Sequence, residues 1–235
     1  MEYPQQNVYT KSKQRTNSLL RNIYLWMSLA LVLTATVSYS VAHNTQLLQF
    51  FFSNSVVLIL LIIAQFACVI FLSSRLQHMS VTACIATFAL YSVLTGVTLS
   101  SIFIVYTRAS ITNAFFSAAL MFGGMSLYAM TTKKDLSSWR SYLVMGLWGI
   151  IIASVLNIFL KSSAFYYMIS YIGVVLFLGL TAYDTQKLLR IGNNIDGIGE
   201  ENYIKLSIYG ALTLYLDFIN LFLFLLRIFG RGSKN

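Results

Sequence analysis

The sequence predicts an all-α integral membrane protein built as a seven-transmembrane-helix bundle, and three observations carry that prediction. Hydrophobic residues make up 57% of the 235-residue chain and charged residues only 10%, whereas a soluble domain carries about 25% charge. The apolar residues gather into seven runs, each close to the roughly 20 residues that a helix needs to cross a bilayer. The single proline, Pro4, lies outside every run, so no run contains the residue most disruptive to a helix.

Residues 1–21 read as a polar, basic cytoplasmic tail, with Lys11, Lys13, Arg15 and Arg21 against one acid, Glu2. The first span is expected over 23–42. Ser40-Val41-Ala42 resembles a signal-peptide cleavage site, but the run is longer than the roughly 7–15 residues of a signal core. The second span is expected over 51–72, the third over 82–105 and the fourth over 111–130. The fifth is placed at 142–160, the sixth at 164–183 and the seventh at 206–229. Only short loops separate all but the last pair, which makes residues 22–230 one transmembrane domain. Residues 231–235 follow as a short basic tail.

Charge bears on orientation and partners. The formal net charge of +9 would suggest nucleic acid in a soluble chain. Here the cations are dispersed over several loops with no single patch, so the expected partner is the lipid bilayer and not nucleic acid. With the N-terminus inside, eleven Lys and Arg residues fall on the inner side: Lys11, Lys13, Arg15, Arg21, Arg75, Lys133, Lys134, Arg140, Lys187, Arg190 and Lys205. Five fall outside: Arg108, Lys161, Arg227, Arg231 and Lys234. The positive-inside rule then favours a cytoplasmic N-terminus. A re-entrant seventh segment would return the basic C-terminal tail to the cytoplasm, but its length favours a full crossing.

The seven acidic residues are Glu2, Asp135, Asp184, Asp196, Glu200, Glu201 and Asp217. Only Asp184 and Asp217 fall within or at the edge of apolar runs. A charged Asp near the bilayer centre costs about 2.5–3.5 kcal/mol on insertion scales, so it faces protein or water, pairs, or carries a proton. Asp184 closes the sixth run and Asp217 lies mid-way along the seventh. Consecutive helices joined by a loop are antiparallel neighbours, so the two carboxylates can meet. Each lies on a stripe of small or polar residues: Ser170, Gly173 and Thr181 with Asp184, and Ser207, Gly210, Thr213 and Asn220 with Asp217. Such stripes let membrane helices approach closely. Thr213 and Asn220 are therefore expected to support the pair, and Gly123-Gly124 and the Gly146–Gly149 stretch to serve packing.

The remaining chemistry-bearing residues yield no catalytic site. Cys68 and Cys84 lie in apolar runs and form neither a CxxC pair nor a disulfide framework, so they read as small buried hydrophobes. His43 and His78 sit at segment ends without companion ligands, so no transition-metal site or cofactor is expected. The segment IGNNIDGIGEEN (191–202) is partly acidic but lacks the ligand spacing of a calcium loop.

Three motifs resemble one family. LYLDFINLFLFLLRIFG (214–230) resembles the C-terminal motif of the Bax inhibitor 1, or transmembrane Bax-inhibitor-motif, proteins. GLTAYDTQKL (179–188) resembles the sixth-helix motif of that family, and SLYAMTTKKDLSSW (126–139) its fourth-helix exit. The likeness runs from about Arg21 to Gly230, and the size and short tails are similar to a bacterial, inner-membrane member. It implies a seven-helix bundle with the C-terminal helix central, wrapped by the other six. For bacterial members it also implies a pH-sensitive calcium leak controlled by an aspartate pair, which falls on Asp184 and Asp217. LSSRLQHMS (72–80) resembles the end of the family's second helix and implies Arg75 as the basic residue near that pair. Many members carry a Glu about ten residues before that Arg. Here the position is Gln65, which puts a Glu–Arg latch in doubt.

The chemistry of such a pair stands beside the resemblance. Two carboxylates in a low dielectric cannot both ionise cheaply, so they share a proton and titrate as one unit. Protonated, they clasp the sixth and seventh helices; deprotonated, they repel and offer hard oxygen ligands, Asp184 and Asp217 together, to a passing divalent cation such as Ca2+. Two other function classes compete with this leak. An intramembrane aspartyl protease would use Asp on two late helices, but the chain reads Leu214-Tyr215-Leu216-Asp217 in place of GxGD and lacks a Pro-Ala-Leu element. A non-transporting protein that modulates membrane proteases or stress and cell-death signalling is the alternative. A retinal-type receptor is excluded, since the seventh run contains no lysine.

Overall fold

The computed structural model describes residues 4–194 and 198–230, with side chains from residue 14 onward. Asp196 and the tail at 231–235 lie outside the described residues. Nine α-helices are described: α1 (Pro4–Ala42), α2 (Thr45–Phe52), α3 (Ser55–Arg75), α4 (Val81–Leu99), α5 (Ile102–Val105), α6 (Arg108–Thr131), α7 (Trp139–Leu160), α8 (Ser163–Asn193) and α9 (Glu200–Phe229). No β-strand occurs among the described residues. Seven stretches are long and apolar enough to cross a membrane: Gln14–Ala42, Ser55–His78, Val81–Val105, Arg108–Thr131, Trp139–Leu160, Ser163–Asn193 and Glu200–Phe229. The fold class is therefore the one the sequence predicts. In the most apolar stretch of α9, 61% of residues are buried, against 11% in those at Ser55–His78 and Trp139–Leu160. The C-terminal helix is thus the most enclosed of the seven.

Several boundaries differ from those read in the sequence, each for a local reason. The first helix does not wait for the apolar run at 23 but already includes residues from Pro4. Its stripe Thr16, Leu19, Leu20, Ile23, Met27, Ala30, Thr34, Ser38 and Val41 is buried throughout, at the spacing of one helix face. The second apolar run is divided. Asn44 caps α2 by accepting from the N–H groups of Gln46 and Leu47, and Asn54 restarts the chain as α3 by accepting from Val56 N at 2.9 Å. The third run breaks after Leu99, where hydroxyls capture carbonyls of the preceding turn: Ser100 Oγ donates to Val97 O at 2.6 Å and Ser101 Oγ to Thr98 O at 2.9 Å. Such bonds compete with the helical ladder. The sixth helix does not stop at Tyr183; TQKLLRI contains no breaker, so α8 continues to Asn193.

The chain divides into two compact units. Of the described residues, one unit comprises those up to Val105 together with those within Arg190–Tyr215; the other comprises Tyr106–Leu189 and those from Leu216 onward. In the first unit, α1 and α4 approach at Gly96, where a Cβ would stand 2.8 Å from both Thr34 O and Val37 Cβ. The N-terminal half of α9 enters this unit through Tyr215, which is fully buried. Its ring meets Phe88 and Tyr91 edge-on at 5.8 and 5.7 Å. Thr34 Oγ1 donates to Ser92 O at 3.0 Å, so the Tyr215 hydroxyl donates to Thr34 Oγ1 at 2.6 Å. In the second unit, the Phe218 ring of α9 packs against Phe115 and Phe122 of α6, each at 5.6 Å. Of the glycines expected to serve packing, Gly146 does so against Leu176, whereas Gly123, Gly124 and Gly149 face open space.

Candidate functional site: an intramembrane carboxylate pair

The second unit brings Asp184 and Asp217 to one level. Three contacts set the register of α8 on α9. The Phe177 and Phe224 rings lie 5.7 Å apart. A Cβ on Gly173 would stand 2.7 Å from the Phe224 ring. Near the other end of the pair, the Arg227 guanidinium sits 5.4 Å over the Tyr166 ring. Later positions on α9 thus meet earlier positions on α8, so the helices are antiparallel here. Asp184 lies seven residues after Phe177, and Asp217 lies seven residues before Phe224. Seven residues are two helical turns, about 10.5 Å along each axis and nearly the same face. Running in opposite directions from one stacked pair of rings, the two helices bring both carboxyls to the same height.

Their surroundings differ. Asp217 is 5% exposed, and its Oδ2 has no hydrogen-bond partner among the described residues. Asp184 is half-buried and lies within electrostatic reach of Asp217 and of Lys187, one turn further along α8. No hydrogen bond joins the two carboxyls among the described residues, so the clasp suggested by the sequence is not closed in this structure. Two further buried oxygens in the same unit, Ser126 Oγ and Thr185 Oγ1, also lack a partner. Sequence reasoning passed over both. Their signal was adjacency, since Thr185 follows Asp184 and Ser126 opens the motif at 126–139.

The residues expected to support the pair make bonds or occupy positions of their own. Asn220 spends its amide on its own helix, donating to Leu216 O at 2.8 Å. Thr213 belongs to the first unit and donates to Tyr209 O at 3.0 Å. Arg75 also belongs to the first unit, is exposed at the end of α3, and forms no ion pair among the described residues. Gln65 is half-buried on α3 and donates to Leu94 O at 3.1 Å and to Thr98 Oγ1, both on α4. A backbone carbonyl only accepts, so the Gln65 nitrogen must face it. An ionised Glu could not make that bond, and at this position the chain ties α3 to α4.

Chemically, the pair offers at most four carboxylate oxygens, fewer than the six to eight that a calcium ion takes. Among the described residues no group of three or more His, Cys, Asp or Glu side chains is arranged to hold a metal.

An all-helical, multi-pass membrane protein with two facing carboxyls in its late helices is the class that these observations define. The family model described as "Inhibitor of apoptosis-promoting Bax1" matches residues 16–234. The chain belongs to this Bax inhibitor 1 family. The inner membrane protein YbhL of Escherichia coli K12 is 51% identical over 228 residues, covering 97% of each chain. An uncharacterized protein of Borreliella burgdorferi is 44% identical over 231 residues, covering 96% of this chain and 98% of its own. Another, RP147 of Rickettsia prowazekii, is 38% identical over 230 residues, covering 94% of each.

Proposed function

We propose that this protein is a pH-sensitive cation leak of the bacterial inner membrane, with calcium as the transported ion and Asp184 and Asp217 as its gate. The observation that carries the reading is the Asp217 Oδ2 atom, buried without a partner on α9 at the level of Asp184 on α8. A buried carboxylate oxygen without a hydrogen bond is costly. Protonation relieves that cost, and so does a cation arriving beside it. With one shared proton the two carboxyls hold α8 and α9 together. When the last proton leaves, two like charges in a low dielectric repel, the helices part, and hard oxygens face the path of the ion. The absence of a richer ligand cluster among the described residues agrees with passage in preference to storage. The excess of Lys and Arg on one side supports a cytoplasmic N-terminus.

The experiment is calcium entry into proteoliposomes at about pH 6 and pH 8. Wild-type flux should rise with pH, and Asp217→Asn and Asp184→Asn should each uncouple flux from pH, since an amide neither ionises nor repels. Flux that ignores pH, or variants that keep the wild-type response, would end the reading and put a non-transporting partner protein in its place. Cleavage of added peptide would favour the protease instead. Arg75 enters as counter-ion on the strength of the resemblance alone. Arg75→Ala should therefore move the pH midpoint without loss of expression, and an unchanged profile would leave Arg75 as a topology anchor.

A further inference from the structure

The loop between α6 and α7 is held by a side chain that the leak mechanism does not use. Gln186 of α8 grips one peptide segment of that loop in both directions. Its Oε1 accepts from Leu136 N at 2.8 Å and its Nε2 donates to Lys134 O at 2.8 Å. Leu136, only 1% exposed, seats its side chain with Ala129 of α6 and Ala182 of α8. The loop is braced within itself, because Asp135 Oδ1 accepts from Ser137 N at 2.9 Å and from Ser137 Oγ. Lys134 N in turn donates to Thr132 Oγ1 at 3.2 Å. Ala182 and Gln186 are four residues apart and share one face of α8. Asp184, two residues from each, is turned about 160–200° away from them around the helix. The loop therefore grips α8 on the face opposite the carboxyl that α8 presents.

We infer that Gln186 is a positioning residue for Asp184, fixing the rotation of α8 about its axis by anchoring its back face to the 132–138 loop. The inference rests on the leak reading for its functional meaning, but its geometry stands apart from ion flux. Gln186 does not touch the carboxyl; it acts through the backbone of its own helix. The charged groups that act on Asp184 within this unit are Lys187 on α8 and Asp217 on α9. The nearby loop charges, Lys133, Lys134 and Asp135, and Arg140 of α7 are all exposed. A small rotation of α8 would change the distance from Asp184 to both of its charged neighbours and hence its titration.

The test uses Gln186→Met, which keeps the length of the side chain and every charge but removes both hydrogen bonds. Leu136→Ala serves as a second variant, loosening the same grip from the loop side should the first fail to assemble. Hydrogen exchange at the Leu136 amide and the 13C-detected titration of the Asp184 carboxyl, assigned with Asp184→Asn, are measured on full-length protein in nanodiscs beside calcium flux. The expected result is exchange faster by about tenfold or more, as loss of a protecting bond allows, with the Asp184 midpoint displaced by about half a pH unit or more. Unchanged exchange, or faster exchange with an unmoved titration, would overturn the inference and leave Gln186 a loop fastener only. A wild type that carries no calcium would defeat the leak reading, yet the titration would still decide the role of Gln186.

Discussion

Replacing Gly173 with alanine tests whether the fit between α8 and α9 holds the carboxyls in register. The added methyl would stand 2.7 Å from the Cδ1, Cδ2 and Cε1 atoms of Phe224. That ring cannot swing aside freely. It is buried, stacked against Phe177 at 5.7 Å, and covered by the Arg227 guanidinium at 5.1 Å. Overpacking of this kind costs about 1–3 kcal/mol, partly offset by the roughly 1 kcal/mol that alanine gains over glycine inside a helix. Gly149→Ala supplies the control, because a Cβ there meets nothing within 4 Å and only the propensity gain applies. The difference between the two variants therefore isolates the packing cost, expected at about 1–3 kcal/mol. Reversible unfolding in mixed micelles measures it. Values for the two variants that agree within about 0.5 kcal/mol would refute the reasoning, because the packing cost that separates them is put at 1 kcal/mol or more.

Other substitutions probe the first unit. Tyr215→Phe keeps the ring contacts with Phe88 and Tyr91 but removes the hydroxyl that donates to Thr34. It should cost about 0.6 kcal/mol, the average measured for hydrogen bonds between membrane helices, and no more than their maximum of about 1.7 kcal/mol, in the same micelle assay. Gln65→Glu should cost about 1–3 kcal/mol at neutral pH, because the ionised side chain can donate to neither Leu94 O nor Thr98 Oγ1 and each such bond contributes about 0.5–1.5 kcal/mol. A Glu variant as stable as wild type would show that the α3–α4 tie carries no energy.

The seven spans were legible because length and hydropathy alone decide them. The most enclosed helix is also the one carrying the long C-terminal motif. The breaks were not legible. An apolar run shows no interruption where Asn54 takes a backbone N–H or where Ser100 takes a carbonyl, since these are choices of hydrogen-bond partner and not of composition. Asp184 and Asp217 could be singled out by their rarity in apolar runs. Their common height could not, because it depends on which rings stack, and only the structure pairs Phe177 with Phe224. Gln186 was invisible for the same reason, its partners being backbone atoms of a loop some fifty residues earlier.

The stripes that first drew notice on the two late helices separate once their hydrogen bonds are known. Ser170, Thr181, Ser207, Thr213 and Asn220 each donate to the carbonyl four residues back. Hydroxyls and amides can do this because they carry a proton of their own, and each is thereby satisfied within its own helix at any pH. An ionised carboxylate cannot, because it only accepts and the helix offers it no free N–H in mid-span. The two aspartates are thus the members of those stripes that an ionised state leaves without such a bond, and in the leak we propose a proton or an arriving cation satisfies them. Polar residues that close on their own helix give a membrane protein packing without a switch. In the proposed leak, an acid that cannot close on its own helix is the group whose state follows pH, which is why Asp217, and not the stripe around it, carries that proposal.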